Sequence, residues 1–165
     1  MERKRLLAAV VVATLALPSI AFADGRACDL TTPEEIGALV GAKPTFKGST
    51  LPSGVEVCTG KAGQSTVTIR LYPRPDPEER EKESARLESL KKQGALVERR
   101  RRGGIDCYEV RPGGKAARQP YTTSCATAST SKAPMYAVIE VSSPSTSIEA
   151  KQLVPVAQGI AGRLY

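Results

Sequence analysis

Along residues 64–72, apolar and polar side chains alternate. Val67, Ile69 and Leu71 fall on one side, and Thr66, Thr68, Arg70 and Tyr72 on the other. That period of two predicts a strand with one buried face. Residues 121–127 and 135–142 predict two more strands, and in the second Met135, Ala137, Ile139 and Val141 share a face. Shorter strands are expected at 45–49 and at 55–59, the latter carrying Cys58. The runs 95–102 and 105–111 flank Gly103 and Gly104. A Gly-Gly pair between extended runs predicts a two-residue hairpin turn. The turn sets Arg101 opposite Asp106, Arg99 opposite Tyr108 and Val97 opposite Val110.

The period changes to that of a helix in three places. Thr32, Pro33 and Glu35 form a capping box with proline at the first helical position, and Gly41 ends the segment. Ile36, Leu39 and Val40 are its apolar face. Asp76 caps a second helix, with Pro77 at its first position and Glu78 and Glu79 in its first turn. It extends to Gln93, stops at Gly94, and offers only Ala85, Leu87 and Leu90 as an apolar edge. The pairs Glu78 with Lys82 and Glu88 with Lys92 support it at i,i+4. A last helix, capped by a box from Thr146 to Glu149, buries Leu153, Val156, Ala157, Ile160 and Leu164. Pro155 inside it predicts a kink, or marks where regular helix begins. Together these elements predict an α+β fold, a mainly antiparallel sheet with about three helices packed on it. Cys58, a turn, a strand and a helix are echoed by Cys125, a turn, a strand and a helix, so two repeated strand–strand–helix halves are an open reading.

The N-terminus follows neither pattern. Arg3, Lys4 and Arg5 precede an apolar run at 6–17 broken only by Thr14, and Ala21, Phe22 and Ala23 fit small-x-small cleavage. This predicts a secretory signal peptide over residues 1–23. The run is shorter than the roughly 20 residues that span a bilayer. Cys28 is separated from it by Asp24, Gly25, Arg26 and Ala27, which disfavours a lipidated start. Residues 24–165 then form a single domain, and removing the leader lowers the net charge from +7 to +5. Leu, Ile, Val and Phe make up 26 of those 142 residues. That share is low for a packed domain and predicts a thin core that needs covalent help.

Four cysteines in an oxidising compartment predict two disulfides. Three pairings are possible. Cys28 with Cys58 and Cys107 with Cys125 is preferred, because each closes a local unit. Loops of these lengths give roughly 3–4 kcal/mol each in the chain-entropy model.

The stretch Cys28, Asp29, Leu30, Thr31, Thr32, Pro33, Glu34, Glu35 and Ile36, then Gly41 and Cys58, resembles the opening of small bacterial envelope proteins of unknown function. In that group a Cys-Asp-Leu start leads through threonine into a short helix ending in glycine. A later cysteine lies on a strand, often before an aromatic residue. Here Thr59 follows Cys58, and the lipid-attachment cysteine common in the group is absent. The resemblance spans residues 24–58. It implies a periplasmic or secreted bacterial protein with an α+β sandwich, and it brings no known catalytic residues.

The chain has no histidine, which excludes histidine acid–base catalysis and histidine-ligated metals. No Cys-x-x-Cys and no phosphate-cradling glycine motif is present; Gly113, Gly114 and Lys115 lack the spacing. A Ser–Lys dyad using Lys132 has nothing to position it. The glutamates at 78, 79, 81, 83 and 88 read as ordinary helix ion pairing. Arg99, Arg100, Arg101 and Arg102 are the sharpest local feature. They suit bidentate contacts to a polyanion, or alternatively a charged edge that blocks strand pairing. Strand alternation splits them, Arg99 and Arg101 to one face, Arg100 and Arg102 to the other. Nucleic acid is disfavoured because no aromatic residues are interleaved for stacking. The reading is an exported, non-catalytic binding or interaction module without a cofactor. Its partner is a protein or an anionic envelope component, and polyanion binding through the four arginines is the alternative.

Overall fold

A computed structural model describes residues 25–73, 77–128 and 135–164. The expected signal peptide, the Asp76 cap and Lys132 lie outside the described residues. The chain begins with a single helical turn, α1 (Arg26–Asp29), and then α2 (Pro33–Val40). Three strands follow: β1 (Thr45–Thr50), β2 (Glu56–Ala62) and β3 (Ser65–Tyr72). After α3 (Pro77–Lys92) come β4 (Leu96–Arg102), β5 (Ile105–Arg111), β6 (Tyr121–Ala128) and β7 (Tyr136–Ser143), and then α4 (Ala150–Gly162). The seven strands form one antiparallel sheet in the order β1-β2-β3-β7-β6-β5-β4. The α+β class is as expected.

Directly opposed residues in antiparallel strands share a face. Cys58, Ile69, Ile139, Cys125 and Cys107 are successive opposed partners, so they form one row across five strands. Val67, Leu71, Ala137 and Val141 extend that face above and below. Leu153, Ala157, Ile160 and Leu164 cover it, with Ala27, Leu30 and Ile36 beside them, and this is the main core. Burial of each leucine, isoleucine or valine among them stabilises by about 1.5–3 kcal/mol relative to exposure.

Both preferred disulfides are present. Cys28–Cys58 ties α1 to β2, and Cys107–Cys125 bridges the opposed partners on β5 and β6. The hairpin register is also as expected: Arg101 faces Asp106, Arg99 faces Tyr108 and Val97 faces Val110. Gly103 and Gly104 both have positive φ, 54° and 78°. Asn, Asp and Gly populate that conformation more readily than other residues, and it matches the right-handed twist of the flanking strands. The Thr32–Glu35 capping box is present.

Several expectations are corrected. The C-terminal helix is capped by Glu149 and Gln152, not by a box beginning at Thr146. Tertiary contacts hold the preceding residues extended: Thr123 Oγ1 donates to the Ile148 carbonyl, and the Ala150 N–H donates to Glu109 Oε1. The helix runs through Pro155, whose ring faces solvent, and Val154 is buried while Val156 is only half-buried. Glu88 pairs with Lys91 rather than Lys92, and Ala85 is exposed. Met135 precedes its strand. α1 has too few residues to show a period; it is held by its disulfide and by the Ala27 N–H to Glu56 Oε2 at 3.2 Å. The fold does not confirm two repeated halves. α4 packs on the Cys58 face, whereas Leu87 and Leu90 of α3 pack with Val97, Tyr108 and Val110 on the other.

Candidate functional site

The second face of the sheet is only partly covered. α3 is charged along most of its length and buries only Leu87 and Leu90, both in its C-terminal half. These two anchor it against Ala95, Val97, Tyr108, Val110 and Ala116. Its N-terminal half has no buried side chain. Between that half and the sheet lies a groove of about 520 Å³.

The floor of the groove is low because its residues are small or medium. Ser124 and Ala126 come from β6 and Val138 from β7, with Tyr108 of β5 alongside. Tyr72 and Tyr136, opposed on β3 and β7, stack at 4.3 Å with ring planes 4° apart. With Val55 they make a small apolar cluster. From α3, Arg80 places its guanidinium 5.5 Å from the Tyr136 ring centre. From β4, Arg99 sits 5.3 Å over the Tyr108 ring. Such contacts hold flat guanidinium groups on ring faces, contributing about 0.5–1 kcal/mol where exposed.

Several charged groups of the groove are ion-paired. Arg99 donates to both oxygens of Asp106, at 2.9 and 2.5 Å, and Arg101 Nε approaches one of them at 3.3 Å. Asp106 is held below the usual carboxylate range by the Arg99 hydrogen bonds, against the opposing effect of partial burial. Arg99 is correspondingly pushed up. Arg70 lies 3.9 Å from Glu140, and Glu83 is gripped by Arg86 at 2.7 Å.

The four consecutive arginines do not converge. Arg99 and Arg101 border the groove, while Arg100 and Arg102 take the other face of β4. Arg100 pairs with Glu98 at 3.2 Å and approaches Glu109 at 3.8 Å. Arg102 has no acidic partner within 4.0 Å among the described residues. Glu109 is 2 % exposed and serves the fold: it receives the Ala150 N–H and lies 3.2 Å from Arg111. Its burial was readable in retrospect, because it shares the phase of Ile105 and Cys107 on its strand.

Sequence reasoning missed the groove. Its walls depend on β3 pairing with β7 and on α3 crossing over, and neither is a local property. Among the described residues no cluster of His, Cys, Asp and Glu could hold a metal ion. None of the described helices is long and apolar enough to cross a membrane. The chain matches no family model, no curated protein and no solved structure.

Proposed function

We propose that the protein is an exported, non-catalytic binding module, periplasmic or secreted, that takes its ligand in the groove between α3 and the sheet. The groove carries this reading. Its volume falls in the range of small-molecule sites, and its lining combines tyrosines, a short apolar floor and a few fixed polar groups. Two disulfides are consistent with an oxidising compartment. The resemblance of residues 24–58 to bacterial envelope proteins points the same way. Binding is favoured over catalysis because three of the four carboxylates lining the groove, Asp106, Glu83 and Glu140, are each engaged by arginine. None of the three is left as a free base with a nucleophile beside it.

The alternative, polyanion binding through Arg99, Arg100, Arg101 and Arg102, has less support. Three of the four already have carboxylate partners, and they occupy two faces. Replacing all four with alanine should lower retention on a heparin column no more than replacing four scattered exposed lysines, Lys47, Lys61, Lys92 and Lys115, does; a markedly larger loss would favour the alternative.

The groove reading is tested by thermal-shift screening of small molecules against the native protein and Ala126→Phe. The substitution puts a ring on the groove floor from a half-buried position outside the main core. Compounds that raise the native melting temperature should lose their effect in the variant. Compounds that stabilise both proteins equally would place the binding elsewhere.

A further inference from the structure

We infer that the groove selects a small, flat aromatic anion: a ring system carrying a carboxylate, sulfonate or similar group. The inference rests on the groove being the binding site and adds the chemistry of its occupant.

The groove is lined by four arginines and four carboxylates, but the arginines are unequally neutralised. At one end a single carboxylate, Asp106, serves two guanidiniums. Arg99 occupies both of its oxygens, so Arg101 reaches only an oxygen already in use, and its side chain is 70 % exposed. At the other end Arg80 rests on the Tyr136 ring and has no carboxylate within 4.0 Å among the described residues. Of the other carboxylates on the lining, Glu140 and Glu83 are engaged by Arg70 and Arg86, and Glu79 stands next to Arg80 on α3. Arg80 and Arg101 therefore both retain donor capacity towards the groove, and guanidinium donors match planar oxyanions in two-point contact.

Between those cations the floor is low and partly apolar. Ala126 and Val138 leave room above the sheet, beside the stacked pair of Tyr72 and Tyr136, so the space under α3 is a slot that fits a flat apolar body. An anion without a ring would forgo the floor, and a neutral ring would forgo the arginines. A helix over a sheet also leaves a slot, which excludes bulky globular partners.

Two dyes of similar shape test the idea on the disulfide-bonded protein. Anilinonaphthalene sulfonate is flat, aromatic and anionic; phenylnaphthylamine is its uncharged counterpart. Fluorescence titration should show the sulfonate binding at least about tenfold more tightly, a difference of about 1.4 kcal/mol. The double variant Arg80→Gln, Arg101→Gln changes only exposed side chains and should weaken the sulfonate by about tenfold while leaving the neutral dye unaffected. Ala126→Phe should weaken both dyes, and Val138→Phe serves if that variant melts early. Equal affinities for the two dyes, both lost on blocking the floor, would overturn the anion preference and leave the groove as the site. Binding of the sulfonate that survives the blocked floor, or no binding of either dye, would overturn both readings.

Discussion

Glu35 shows how one side chain can close two structures at once. It receives the Thr32 N–H at 3.0 Å as half of the capping box, and it also receives Arg163 from the end of α4, at 2.9 and 2.5 Å. Arg163 donates as well to the Leu30 carbonyl at 2.8 Å. The Arg163 hydrogen bonds hold the Glu35 carboxyl down to about 2, against some desolvation and with help from Thr31 and Thr32. Because the folded value is depressed, its stabilisation is full above the unfolded value near 4.5 and is lost as pH falls from there towards 2. Both side chains are more than a third exposed, so solvent screening leaves about 1 kcal/mol. Arg163→Met should lower the melting temperature at pH 7 and flatten this part of the acid limb. An unchanged acid limb in melts from pH 6 to pH 2 would assign the acid sensitivity to other groups. The box itself was legible in four consecutive residues. Its second partner, 128 residues away, was not.

At the scale of elements, turns and strands were the most readable parts. The β4–β5 hairpin was fixed by two glycines and by the opposed pairs that follow from them. The turn also yields a test free of packing effects. A Cβ at Gly104 would meet nothing within 4 Å, so substitution there costs only the left-handed backbone, φ 78°. Gly104→Ala should therefore destabilise by about 1 kcal/mol, and Gly104→Asn by less, since asparagine tolerates that conformation. Urea titration checks the order; equal losses would mean that the turn changes type. Helix starts were less readable. The Thr146 box is a sound local signal, yet Glu109 and Thr123 capture the backbone just beyond it and delay α4 to Ala150. α3 had the opposite difficulty. Its cap and charge pattern marked a helix, but two leucines cannot say which face of which sheet they will meet.

The whole molecule is a broad sheet with a thin core on one side and a partly open groove on the other. With helices unevenly distributed over its two faces, its stability depends on links that act across elements. The two disulfides do this differently. Cys107–Cys125 spans 18 residues between strands that are already hydrogen-bonded neighbours. Cys28–Cys58 spans 30 residues and fastens α1, a four-residue helix that local interactions cannot maintain alone. Chain entropy assigns them similar values, about 3 and about 4 kcal/mol. Their local effects should nevertheless diverge. Replacing Cys107 and Cys125 with alanine should lower the urea midpoint while leaving hydrogen-exchange protection in the sheet distributed as before. Replacing Cys28 and Cys58 should lower the midpoint and also release the amides of 26–30, which pack Ala27 and Leu30 against the core. The groove lies on the far face from α1, so dye binding there should survive this second pair of substitutions wherever the protein remains folded. Loss of protection at 26–30 in the Cys107, Cys125 variant would instead show that the two bridges stabilise one cooperative unit.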